Sequence, residues 1–214
     1  HSGLEGHSGS GEASGDEQGR AAAKNKFGGS WWADRWIKML ESFGHSNRLP
    51  RGRFYARSGR VLDFRVGPGE VTSKVQGSRP APYTVRLEVA PLDDRAWERV
   101  IEAMASRAVF AARLLAGEMP QNISEVFAAA SVSLFPKMAR DLRVACSCPD
   151  SSNLCKHAVA VNYILAEAFD ADPFILLHLR GRSRDEVIDA LTRQRARIVA
   201  SEGVGAAGEG QHAN

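Results

Sequence analysis

The chain has 214 residues, 43% of them hydrophobic, a formal net charge of +3 and only three cysteines. That length holds one domain or two small ones with a buried core, and the roughly 18 consecutive apolar residues of a membrane-spanning helix are absent. An odd cysteine count fits poorly with a disulfide framework. Residues 1–26 contain no apolar core of a secretory signal, so a cytoplasmic protein with no membrane association is expected.

The charge is unevenly spread. Residues 1–26 and 201–214 are both slightly acidic, whereas Arg48 to Arg86 carries nine basic residues against only Asp63 and Glu70. Both ends are also Gly-rich without apolar periodicity, which predicts a disordered arm over 1–26 and a disordered tail over 201–214. The folded part is expected at 27–200.

Within it, Trp32, Trp36, Leu40 and Phe43 recur at helical spacing and predict an amphipathic helix over 30–43, stopped by Gly44. On this stripe Trp32 and Trp36 are core residues, and Trp31 is the indole expected at the surface. The runs VLDFRV, VTSKVQ and YTVRLEV alternate apolar and polar positions and are separated by Gly/Pro turns, so an antiparallel meander follows. From Asp93 the pattern becomes helical. Trp97, Val100, Ile101 and Met104 suit one helix, and Val109, Ala112, Leu114 and Leu115 a second. A third opens at Asn122, with Glu125 completing a capping box. LRVACSCPD reads as a short strand running into a Pro-Asp turn. It is followed by an apolar helix over about 157–169, a short helix near 173–179, and a last one opened by Ser183 with Glu186.

The chemistry is concentrated in C-x-C-x6-C-x-H, formed by Cys146, Cys148, Cys155 and His157. Three thiolates and one imidazole are the donor set of a closed tetrahedral Zn2+ site, with no position left for a reactive water. Cys146 and Cys148, two apart on an extended strand end, face the same side. Cys155 and His157 cannot converge from a regular helix, where two residues advance about 200°. Cys155 must therefore precede the helix, with His157 in its first turn. Lys156 and Arg143 are near enough in sequence to offset the site's negative charge. An iron–sulfur cluster would ask for a fourth cysteine, and the zinc-deaminase signature is missing. Neither a Gly-x-Ser-x-Gly elbow nor a phosphate-binding loop is present, so no enzyme is expected.

Arg48, Arg51, Arg53, Arg57 and Arg60 interleave with Phe54 and Tyr55 without an acidic neighbour, and Lys74 and Arg79 extend the basic run. Guanidinium forks and aromatic faces suit a nucleic-acid backbone. The competing readings are contacts to an acidic protein partner, or a solvated strand–loop face whose arginines meet Asp93, Asp94 or Glu98.

The cysteine pattern, with WWADRWIKMLE, RLPRGRFYARSGRVLDF and DLRVACSCPDSSNLCKHAVAVNYILAEAF around it, resembles the bacterial SWIM zinc finger family, with all four ligand positions matched. The resemblance spans about residues 27–192. It implies zinc binding without catalysis, a role in binding DNA or protein, and association with Swi/Snf-type helicase-like ATPases. The expected fold is α+β: a small antiparallel β-meander packed with helices over 27–132, then a zinc-stabilised strand–turn–helix and C-terminal helices over 133–200. The expected function is nucleic-acid binding, DNA before RNA, as an accessory to such an ATPase. The alternative is a protein–protein interaction subunit docking on the ATPase without touching nucleic acid.

Overall fold

The computed structural model describes residues 27–44, 47–150, 152 and 154–208, with side chains to residue 201. The arm read over 1–26 and the last six residues lie outside the described residues. Within the described residues the architecture is mixed, with eight helices and one four-stranded antiparallel sheet in the order β1-β2-β3-β4. None of these helices is long and apolar enough to cross a membrane.

Helix α1 (Trp31–Ser42) opens on Ser30, whose hydroxyl accepts from the Ala33 N–H at 3.3 Å, and closes just before Gly44 at φ 84°. Helix α2 (Leu49–Arg57) follows. It corrects the strand–loop reading of the arginine segment: Pro50 in its first turn supplies a backbone dihedral already suited to a helix. Strands β1 (Val61–Gly67), β2 (Glu70–Val75) and β3 (Tyr83–Val89) form the expected meander. In β1 the half-buried residues are Val61, Phe64 and Val66, a spacing that breaks strict alternation. The cause is a bulge at Asp63, which takes φ 47° and turns Leu62 outward.

Helices α3 (Asp94–Ala105), α4 (Ala108–Leu115) and α5 (Ile123–Ala129) then follow, with α3 packing on both of the others and on the C-terminal helix. In α4 the buried positions are Phe110, Ala111 and Leu114, while Val109 is 77% exposed. The capping box expected at Asn122 does not form. Its side chain makes no bond to the backbone; its amide donates to Glu125 Oε2 at 3.4 Å, and Glu125 also lies 3.7 Å from Arg107. Strand β4 (Leu142–Cys146) joins the free edge of β3, with Cys146 opposite Val85. Helices α6 (Lys156–Ala171), α7 (Ile175–Leu179) and α8 (Arg184–Gly208) complete the chain. The last of these runs past residue 200. Its opening is the reciprocal cap predicted for Ser183 and Glu186, with bonds of 2.7 and 3.3 Å.

Helix α6 is the centre of the molecule. Ten of its sixteen residues are buried, on every face, as expected for a helix apolar all round. Helices α1 and α2 and all four strands pack on it. Its one buried side-chain amide is engaged at both ends: Asn162 accepts from the Trp36 indole N–H at 3.1 Å and donates to the Ala158 carbonyl at 2.9 Å. At its C-terminal end Asp170 holds the start of α1 by accepting from the Ser30 N–H at 2.9 Å. Trp31, expected at the surface, is instead partly buried against Trp32 and Phe135.

Helix α2 lies against the first turns of α6. A Cβ on Gly52 would sit 2.2 Å from Val159 Cγ1 and 3.0 Å from the Lys156 carbonyl. Both neighbours belong to a buried helix that cannot give way, so the contact requires glycine. Gly52→Ala is therefore expected to cost about 1–3 kcal/mol by overpacking, read as a lower midpoint in thermal or urea denaturation. An unchanged midpoint would show that α2 and α6 are not in close contact.

Candidate metal centre

The end of β4 is held straight past its last residue. The Ser147 N–H donates to the Thr84 carbonyl at 3.0 Å, and the Thr84 N–H donates to the Ser147 hydroxyl at 2.9 Å. This extension leaves Cys146 and Cys148 on the same side. Pro149 and Asp150 then turn the chain, with the Ser152 N–H donating to Asp150 Oδ1 at 3.1 Å. That bond, first of all, keeps the Asp150 carboxyl below its ordinary range. Cys155 is the N-cap of α6, its sulfur accepting from the Ala158 N–H at 3.5 Å. His157 falls in the first turn, as the spacing required.

The four donor atoms, three sulfurs and one ring nitrogen, all lie within 4.8 Å of one another. His157 presents Nδ1, 3.9 Å from both Cys146 Sγ and Cys155 Sγ. Around a tetrahedral ion with metal–sulfur bonds of about 2.3 Å, sulfur–sulfur edges are about 3.8 Å. The cluster thus needs only a small contraction to close on a cation, and its donors suit a thiophilic one.

The imidazole is fixed from outside the ligand set. Its ring stacks on Tyr83 at a centroid distance of 4.6 Å and meets the edge of Tyr55 at 5.4 Å. A Cβ on Gly77 would lie 2.4 Å from the Tyr83 ring and 3.2 Å from His157 Nε2. Nε2 itself is buried and has no partner among the described residues. Tyr83 and Gly77 are not singled out by the sequence as site residues, and Tyr55 is read there only as a stacking face for nucleic acid. Only the inward place of Tyr83 in the β3 alternation could have pointed to one of them.

The thiols share charge unequally. Cys155 is pulled down to about 4, chiefly by its hydrogen bond with Cys146 and further by His157 and the Ala158 N–H. The same hydrogen bond, with burial, pushes Cys146 up, and burial raises Cys148. Of the two basic residues expected to offset the site, Lys156 lies beside it, over the Tyr55 ring at 5.1 Å. Arg143 does not. It alternates onto the opposite sheet face from Cys146, across from Glu88.

A hollow of about 360 Å³ opens next to the cluster, lined in part by Arg48, Arg51, Ser78 and Lys156. Of the seven basic residues predicted to contact nucleic acid, only Arg48 and Arg51 reach it. Arg48 is 3.3 Å from Asp150 and also bonds Ser152, tying α2 to the cysteine loop. Arg53 donates to the Tyr163 hydroxyl at 3.2 Å and lies 3.8 Å from Glu41. Arg57 stacks over Phe27 and Arg60 over Tyr55, at 5.2 and 4.8 Å. Lys74 faces Asp63 at 3.4 Å. Arg51 and Arg79 are exposed and form no ion pair among the described residues. Two of the three acids proposed as partners for these arginines are engaged elsewhere: Asp93 caps α3, and Asp94 pairs with Arg182 at 2.5 Å.

Fold and cluster together define a small α+β protein with a Cys3His cluster that could hold a metal ion. Residues 131–166 match the SWIM zinc finger family model, a family of binding modules. The chain is also similar to the uncharacterized protein Rv2102 of Mycobacterium tuberculosis, at 47% identity over 167 residues. That match covers 78% of this chain and 60% of the relative, so the chain spans about three-fifths of that protein's length. No solved structure matches the chain.

Burial and hydrogen bonding hold the Cys146 and Cys148 thiols up, and bound ligands must be deprotonated, so loading with Co2+ at pH 7 should release protons, measured by calorimetry in buffers of differing ionisation enthalpy. Loading with no proton release would contradict ligation by these cysteines.

Proposed function

We propose that this chain is a zinc-binding, non-catalytic module that binds nucleic acid, DNA in particular, through helix α2 and the hollow beside the metal. Zinc is favoured as the ion because three thiolates and one imidazole satisfy its tetrahedral shell completely. Cys146, Cys148, Cys155 and His157 would hold it, and the ion would supply structure alone. The helicase-like ATPase implied by the family resemblance fits as the motor to which the module is accessory.

The observation that carries the nucleic-acid reading is the outward face of α2. Phe54 is 59% exposed, Arg60 stands 5.9 Å over its ring, and the exposed Arg51 lies one turn before it at the rim of the hollow. An exposed aromatic beside guanidinium groups is a costly arrangement in water and a useful one against a base and its phosphate. Lys156 and the N-terminal end of α6 add positive potential along the same line.

Two measurements test this reading. The affinity of the zinc-loaded chain for a duplex should fall linearly in log K against log salt, and Arg51→Ala should reduce that slope by about one. Phe54→Ala should cost about 1–3 kcal/mol on single strands, where bases are free to stack. The absence of retention of either nucleic acid at about 50 mM salt would overturn the proposal. Separately, Cys155→Ser should abolish stoichiometric zinc in purified protein, read by atomic emission. Full occupancy in that variant would refute the ligand assignment.

A further inference from the structure

The opposite end of the sheet carries a second concentration of positive charge, unrelated to the metal. A hollow of about 750 Å³ lies between the β1–β2 turn, the end of β3 and the loop leading into β4, and it shares no lining residue with the hollow beside the cluster. Its apolar side is formed by Phe135 and Pro91. Its rim holds Lys137, Arg140 and Arg143, all exposed and in no ion pair among the described residues.

The acids nearby are already engaged. Arg86 bonds both Glu70 and Glu88, the latter at 2.8 Å, so the cross-strand neighbour of Arg143 is taken. Asp141 accepts from the backbone N–H groups of Lys137 and Met138 at 3.0 Å each. A fourth cation is built into the wall. The Arg180 carbonyl accepts from the Leu92 N–H at 2.9 Å and from the Trp97 indole at 3.0 Å, and its guanidinium donates to the Ala90 carbonyl. Its Nε–H is buried without a partner. Burial works against this charge and Asp141 offsets it only in part, so a guanidinium held this way gains from a further carboxylate.

We propose that this hollow binds an acidic peptide segment of a partner protein. The segment's carboxylates would meet Lys137, Arg140, Arg143 and Arg180, and an apolar side chain between them would rest on Phe135 and Pro91. Charge complementarity selects an anionic occupant, and the apolar side selects a peptide over a phosphodiester backbone, which has nothing to place there. Glu70, Glu88 and Asp141, lining the same hollow, would repel an extended polyanion while tolerating carboxylates spaced by apolar residues. This site is independent of the nucleic-acid reading, and either can fail alone.

The test titrates a fluorescein-labelled peptide of alternating Asp and Phe residues onto the full, metal-loaded chain. Its Asn/Phe counterpart and a short DNA duplex serve as comparisons. The acidic peptide is expected to bind, and its amide counterpart to bind at least about tenfold more weakly. The double variant Arg140→Glu with Arg143→Glu, both exposed and outside the core, should lose acidic-peptide affinity by at least about tenfold. Its melting temperature and its duplex affinity should stay unchanged. Arg51→Ala should leave peptide binding intact. Equal binding of the two peptides, or wild-type binding by the double variant, would overturn the proposal. Competitive displacement of the peptide by duplex, lost in the double variant, would assign the hollow to nucleic acid instead and overturn it as well.

Discussion

Helix α6 is enclosed on every side by α1, α2 and the sheet, and its first turn supplies both a capping thiol and an imidazole to the metal cluster, so its position decides where every other functional group can stand. An apolar helix of this kind gains stability from burial in all directions, which also means that its neighbours must fit it. Gly52 fits because nothing larger does, and Gly77 fits behind the histidine for the same reason. The metal site and the arginine helix are therefore two consequences of one packing arrangement.

The cluster closes that arrangement where the sheet meets α6. Strand β4 is an edge strand, and the cysteine loop connects it to α6 through a short polar turn. Hydrogen bonds at Thr84 and Ser147 and the Arg48–Asp150 pair draw the parts together, but a half-exposed ion pair contributes little on its own. A cation shared between Cys146, Cys148, Cys155 and His157 would make the join rigid. The hydrogen bonds that Cys155 receives from Cys146 and from the Ala158 N–H pull its thiol down, the direction that favours a ligand thiolate. Arg48, read first as a candidate nucleic-acid contact, holds the loop of the metal site; Arg51, one turn on, remains free for solvent.

Much of this was legible in the residue order, for physical reasons. Ligand spacing is a local constraint that survives any tertiary context, so the placement of Cys155 before the helix and of His157 within it followed from helix geometry. The β3 alternation and the Ser183–Glu186 cap are also local, and both appear. Helix α2 was illegible because its buried positions are Gly52 and Ala56, residues too small to register as an apolar stripe. The Asn122 cap failed because its amide meets the Glu125 carboxylate instead of the backbone, and Glu125 also faces Arg107, which lies just ahead of α4. The acid partners of the arginines came from other elements, Glu41 in the helix before and Asp150 in the distant cysteine loop, which no periodicity announces. The charged hollow at the far end of the sheet is assembled from four separate segments and has no signature in any one of them.

The central claim is that a single ion is enclosed by three cysteine sulfurs and the Nδ1 nitrogen of His157, with no position left open. X-ray absorption at the zinc edge of the stoichiometrically loaded protein measures this shell directly. The account predicts three sulfurs at about 2.3 Å and one nitrogen at about 2.0–2.1 Å. A shell with two sulfurs, or with an oxygen donor completing the coordination, would contradict it.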